Sequence, residues 1–165
     1  MLPDRLLLEA QSLLAACRQK SIRLATAEGC TGGLIAAALT AIAGASDVLD
    51  RSFVAYSNEA KHDLLGVPLE LVRDFGAVSE EVAQAMAEGA LTRSRANLAV
   101  AVTGVTGPGG GSATKPVGFV CFGLAQTGQP VAGMRTVFPG DRSAIRAASV
   151  EQAIALIHAR LRETA

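Results

Sequence analysis

Short apolar runs and helix-patterned segments take turns along this chain. That alternation limits the possible folds more than any single motif does. SIRLATA (21–27), RSFVAYS (51–57), NLAVAVTG (97–104), VGFVCFGLA (117–125) and VAGMRTVF (131–138) have the length and apolar character of buried strands. Between them lie segments with helical spacing. The opening stretch sets Leu6, Leu7, Leu13 and Leu14 on one face, TGGLIAAALTAIAG (31–44) is rich in small residues, and NEAKHDLLG (58–66) stops at Gly66 and Pro68. The segment 80–95 repeats Val82, Met86, Ala90 and Leu91, and 142–164 carries Ile145, Ala148, Ala153, Leu156, Ile157 and Leu161. Strands alternating with helices predict an α/β fold, a three-layer α/β/α sandwich. The last two strands follow one another across QTGQP, so the sheet is expected to be mixed and mainly parallel. With 165 residues, half of them apolar, the chain has material for one core, and 1–165 reads as a single domain.

Helix starts are marked by residues whose side-chain oxygens reach unpaired amides. Ser57 or Asn58 serves the third helix, Ser79 followed by Glu80 and Glu81 the one at 80–95, and Asp141 the last. Charge then excludes partners. Fifteen basic and fifteen acidic residues balance to zero and are dispersed, which leaves no footprint for a nucleic-acid backbone. Aromatic residues make up 4% of the chain and tryptophan is absent, so no base-stacking platform is expected either. Asp4, Arg5, Glu9 and Gln11 interrupt the apolar start, no charged leader precedes it, and no window is long enough for a membrane span. Three cysteines, Cys17, Cys30 and Cys121, are odd in number and far apart, which points to a reduced, cytoplasmic setting. His62 and His158 show no metal-ligand spacing, so neither a metal nor another cofactor is expected.

Two glycine-rich loops follow strands. In AEGCTGG (27–33), Cys30, Thr31, Gly32 and Gly33 lie where a helix begins, so their amides are expected to point at a small anion, with Glu28 at the same edge. The other possibility is that the glycines serve only a tight turn and close packing. TGVTGPGGGSATKP (103–116) adds Thr103, Gly104, Thr106, Gly107, Gly109, Gly110 and the cation of Lys115, provided the two strand ends are neighbours; a plain surface loop is the alternative. Neither loop is a P-loop or a dinucleotide fingerprint. Between them, Tyr56 closes a strand and Lys61 follows five residues later, so a phenol and an amine can face one pocket. A partly buried lysine has a lowered pKa and can act as a base toward a hydroxyl. An ordinary surface lysine and a tyrosine at the edge of the core are the competing readings.

These segments together resemble the CinA C-terminal domain family, whose members include nicotinamide-nucleotide amidases. The matching pieces run in order: AE-x-CTGG at 27–33, GAS at 44–46, YSNEAK at 56–61, GAVSEEVA at 76–83, MAEGAL at 86–91, TG-x-x-GP-x-GG at 103–111 and KPVG at 115–118. The resemblance implies an α/β/α domain that hydrolyses the carboxamide of nicotinamide mononucleotide without a metal, giving nicotinic acid mononucleotide and ammonia. It implies a pocket served by a serine, a tyrosine and a lysine. The last two map to Tyr56 and Lys61, with Lys61 as base, but the serine position is Gly29. The mononucleotide phosphate is then expected at the Thr31–Gly33 helix start and the 104–111 loop. The missing hydroxyl leaves reduced hydrolysis or a catalytically silent nucleotide-binding protein as alternatives. Family members also form the tails of longer proteins, so an interaction module is a further reading, and they tend to self-associate, which implies a homo-oligomer.

Overall fold

The computed structural model describes residues 2–164. Its five strands are β1 (Leu24–Glu28), β2 (Leu49–Val54), β3 (Leu98–Gly104), β4 (Phe119–Gln126) and β5 (Ala132–Val137), in the spatial order β2-β1-β3-β4-β5. β1 runs parallel to both β2 and β3, whereas β3–β4 and β4–β5 are antiparallel. The sheet is therefore mixed as expected, with its parallel part centred on β1.

Helices α1 (Asp4–Gln19), α2 (Leu34–Thr40) and α6 (Arg142–Glu163) cover one face. The other face is covered by α3 (Asn58–Leu65), α4 (Leu69–Phe75) and α5 (Glu80–Thr92). Strand alternation sorts the side chains. Leu98, Val100 and Val102 of β3 face the first layer, and Ala99 and Ala101 face the second. An alanine-lined face lets α5 settle close to the sheet: a Cβ at Gly123 of β4 would lie 2.1 Å from the Ala83 carbonyl oxygen, so only glycine fits there.

The expected caps are in place. Ser57 Oγ accepts from Ala60 N at 3.0 Å, Ser79 Oγ from Val82 N at 3.2 Å and Asp141 Oδ1 from Ala144 N at 2.9 Å. Two elements differ from the sequence expectation. α4 was not foreseen, because its seven residues hold only two helical turns and follow Pro68 directly. α2 is shorter than the segment 31–44: Gly33 (φ 97°) holds the backbone in the left-handed region just before it starts, it ends at Thr40, and Gly44 (φ 80°) precedes the next turn. A short 3₁₀ turn, Ala45–Asp47, then leads into β2. Among the described residues no helix is long and apolar enough to cross a membrane.

Candidate functional site

The three parallel strands end together, with Glu28 opposite Val54 on one side and Val102 on the other. The chain leaves β1 between its two neighbours: Gly29 N donates to Val102 O at 2.9 Å, and Ala55 N donates to Glu28 O at 3.0 Å. β1 connects through α2 over one face, and β2 returns to β3 under the other. The crevice at this carboxyl edge is the position where open α/β sheets bind ligands. A cleft of ≈ 210 Å³ opens there, lined by Gly29, Cys30, Tyr56, Asn58, Lys61, Ala77, Val78, Thr103, Gly104 and Thr106. Gly29, Tyr56 and Lys61 thus meet at one place, together with Cys30, Thr103 and Gly104.

Lys61 lies one turn into α3 and is 3% exposed. Its Nζ donates to Tyr56 O at 3.0 Å and makes no ion pair among the described residues. Burial disfavours the ammonium and pulls its pKa below the ordinary lysine value. Cys30 is 8% exposed, and burial pushes its thiol up to about 11, only partly offset by its own amide and Arg146. Cys30 lines the wall of the cleft, with a thiol that is protonated at neutral pH. Its Sγ packs over Gly104, 3.0 Å from where a Cβ there would sit. Tyr56 is 64% exposed and stands at the rim.

Glu28 departs from the sequence expectation. It is fully buried behind the cleft and occupies the anion position at the start of α2 itself. Its Oε2 accepts from Thr31 Oγ1 (2.7 Å), Gly33 N (3.0 Å) and Ile35 N (3.1 Å). Its Oε1 accepts from Ala36 N (2.9 Å) and Thr26 Oγ1 (3.3 Å). Gly33 has no side chain with which to cap α2, so a carboxylate from the preceding strand does so. Two of the donors expected to hold a ligand phosphate, the Thr31 hydroxyl and the Gly33 amide, are consequently taken, the Gly32 amide donates to Gly29 O at 3.0 Å, and Thr31, Gly32 and Gly33 lie outside the cleft lining.

The second loop divides. Thr103 Oγ1 donates to Ala77 O at 2.9 Å and ties the end of β3 to the approach to α5. Gly107, Gly109 and Gly110 continue beyond the cleft, with Gly107 buried and the other two exposed. Lys115 turns away, donating through Nζ to Phe75 O at 2.5 Å in a neighbouring cleft with Ser79, Glu80 and Arg135. Its placement there follows from the loop returning toward α4, a path that sequence spacing does not encode.

Sequence reading passed over Ala77, Val78 and Asn58 as site residues. The first two belong to GAVSEEVA, a piece of the family resemblance that also carries the Ser79 helix cap but was given no site residue, and their part in the cleft depends on the Thr103 contact. It also left open whether Arg142 or Arg146 of α6 reaches the ligand phosphate. Arg142 Nη1 donates to Thr106 Oγ1 (2.8 Å) and Gly107 O (2.9 Å), and Nη2 donates to Tyr56 Oη (3.2 Å). Arg146 donates to the carbonyl oxygens of Cys30 and Thr31, both at 3.1 Å. The available signal was an arginine pair one helical turn apart just after the Asp141 cap.

Similarity to known proteins agrees with this architecture. The chain is 48% identical over 149 residues to the nicotinamide-nucleotide amidohydrolase PncC of Enterobacter agglomerans, covering 90% of this chain and 89% of that protein. It is 45% identical over 158 residues to a putative competence-damage inducible protein of Caldicellulosiruptor bescii, covering 96% of this chain but 38% of that longer protein. It spans 33% of the CinA-like protein of Syntrophobacter fumaroxidans, at 49% identity. Among solved structures, the competence/damage inducible protein CihA of Agrobacterium tumefaciens superposes with a TM-score of 0.94 at 47% identity, covering 98% of both chains. The CinA superfamily protein KP700603 of Klebsiella pneumoniae superposes with a TM-score of 0.92 at 37% identity, covering 96% and 98%. The family model for the CinA C-terminal domain matches residues 8–161. On sequence and on fold alike, the chain belongs to the CinA C-terminal domain family.

Proposed function

We propose that the cleft binds nicotinamide mononucleotide and hydrolyses its carboxamide slowly, by attack of water rather than of a protein hydroxyl. The observation that carries this reading is the convergence of Lys61, Tyr56 and Gly29 on one cleft at the parallel edge of the sheet. The PncC relative, matched over nearly its whole length, is named for that substrate class. In this scheme the amine of Lys61 takes a proton from water as its oxygen bonds to the carboxamide carbon. The carbon–nitrogen bond then breaks, and the proton passes to the departing nitrogen, which leaves as ammonia. Water occupies the space where a serine hydroxyl would stand at position 29. We place this small-molecule chemistry in the cytoplasm, in a single-domain homo-oligomer that requires no cofactor.

Loss of an enzyme's nucleophile costs several orders of magnitude in rate, with residual turnover sustained by positioning. Position 29 can take a side chain. A Cβ there meets Val102 O at 3.2 Å, Thr103 Cα at 3.7 Å and Ala55 O at 3.8 Å, so an adjustment of a few tenths of an ångström suffices. Gly29→Ser is therefore expected to fold and to raise ammonia release from nicotinamide mononucleotide by about 100-fold or more. Ammonia from neither protein overturns the amidohydrolase reading. Gly29 itself favours a second reading, a pyridine-nucleotide-binding protein without turnover. That reading stands if calorimetry shows binding to the wild type while only Gly29→Ser hydrolyses.

A further inference from the structure

Charged side chains from two different elements hold the turn that carries position 29. Gly32 N donates to Gly29 O at 3.0 Å, so Cys30 and Thr31 form the middle of a turn between β1 and α2. Glu28 takes the hydroxyl of Thr31 and the amide of Gly33. The carbonyls of the same turn are served from α6: Arg146 Nε donates to Cys30 O and Nη2 to Thr31 O, both at 3.1 Å. Among the described residues Cys30 O has no backbone donor, and Thr31 O has only Leu34 N at 3.2 Å. Arg146 is half-buried, makes no ion pair among the described residues, and lies so close to Gly32 that a Cβ there would meet its Nη2 at 3.4 Å. A planar fork placed on two neighbouring carbonyls fixes their geometry rather than neutralising a charge.

Rigid peptide planes carry that geometry toward the cleft. Fixing Thr31 O fixes the amide of Gly32, which in turn holds Gly29 O, and the plane that contains Gly29 O also contains the amide of Cys30. This amide belongs to a buried residue of the cleft wall and has no backbone acceptor among the described residues. An amide directly after the reacting position is where acyl-transfer sites place a donor for developing negative charge. We propose that Arg146 is a positioning residue for the hydrolysis: through the carbonyls of Cys30 and Thr31 it keeps the Cys30 amide aimed at the carboxamide oxygen as water adds to the neighbouring carbon. This rests on the amidohydrolase reading given above. Arg146 is not part of the cleft lining, so it acts through the turn, and its loss is felt in turnover rather than in binding.

Ammonia release from nicotinamide mononucleotide by the full chain tests this, with Arg146 substituted in whichever of wild type and Gly29→Ser turns over. Arg146→Gln should lower kcat by about 10- to 100-fold, the cost of a displaced reacting group, while KM stays within about 2-fold. Arg146→Lys should recover part of kcat, because an ammonium keeps the charge without the fork. Amide exchange followed by NMR should quicken about 10-fold at Gly32 and Leu34 in Arg146→Gln, the effect of a lost charged hydrogen bond on local opening, and stay unchanged at Val100 in β3. A kcat within about 2-fold of the parent overturns the proposal, and so does a rise in KM alone, which marks a ligand contact. Exchange that quickens equally at Val100 overturns it too, because that marks a general loss of stability. If neither wild type nor Gly29→Ser releases ammonia, the function reading fails by itself. Exchange then decides the role of Arg146: quickening confined to Gly32 and Leu34 supports it, and no quickening overturns it.

Discussion

Replacing Glu28 by glutamine alters one terminal atom in a fully enclosed setting, and the structure lets the cost be worked out. The carboxylate accepts from three amides and two hydroxyls. A carboxamide keeps one acceptor oxygen and turns the other into a donor. The less damaging orientation places the new nitrogen at Oε1, where the hydroxyl of Thr26 can rotate but the amide of Ala36 cannot. One charge-assisted hydrogen bond, about 1.5–3 kcal/mol, is lost, and the charge that favours the start of a helix, about 0.3–1 kcal/mol, goes with it. The expected loss is about 3 kcal/mol. For a chain of this size that corresponds to a fall in Tm of about 6–12 °C. Scanning calorimetry and urea midpoints measure the loss, and amide exchange at Ile35 and Ala36 should quicken first. A Glu28→Gln protein within about 0.5 kcal/mol of wild type, the range of an inert surface change, would refute the capping role.

Two further predictions concern buried titratable groups. Lys61 has its folded-state pKa lowered by burial from 10.5, so between the lowered value and 10.5 the unfolded chain holds more protons and stability rises with pH. Lys61→Met should accordingly show a higher urea midpoint than wild type at pH 7, with the gain shrinking toward pH 10.5; a gain that grows with pH contradicts the sign. Cys30, held at about 11, should react with iodoacetamide at pH 8 about 100-fold more slowly in the native protein than after unfolding. Rapid native labelling of Cys30, identified by peptide mapping, would show an activated thiol instead.

The parts of the fold that local chemistry dictates were legible in the chain. Ser57, Ser79 and Asp141 cap helices where their side chains reach their own backbone three residues on, and strand alternation separates Val100 from Ala101. Mixed topology followed from two successive strands with a short connection. In the site, Tyr56 and Lys61 were legible because one helical turn brings the end of β2 and the start of α3 together. What escaped depended on separation along the chain. Arg142 meets Tyr56 across 86 residues, and Lys115 meets Phe75 across 40. Glu28 was assigned to the correct edge of the sheet with the wrong partner. Spacing identifies a glutamate beside a helix start but not the direction of its carboxylate, which turns inward onto Gly33, Ile35 and Ala36.

That inward turn affects how a family of this kind can diversify. Because α2 carries its own counter-charge, the helix forms without any bound molecule, and position 29 is set by backbone bonds to the strands on either side. If position 29 sets the reactivity, as proposed above, folding and reactivity are inherited separately, and a lineage could raise or lower hydrolysis at one residue while every intermediate along the way stays a folded protein available to selection.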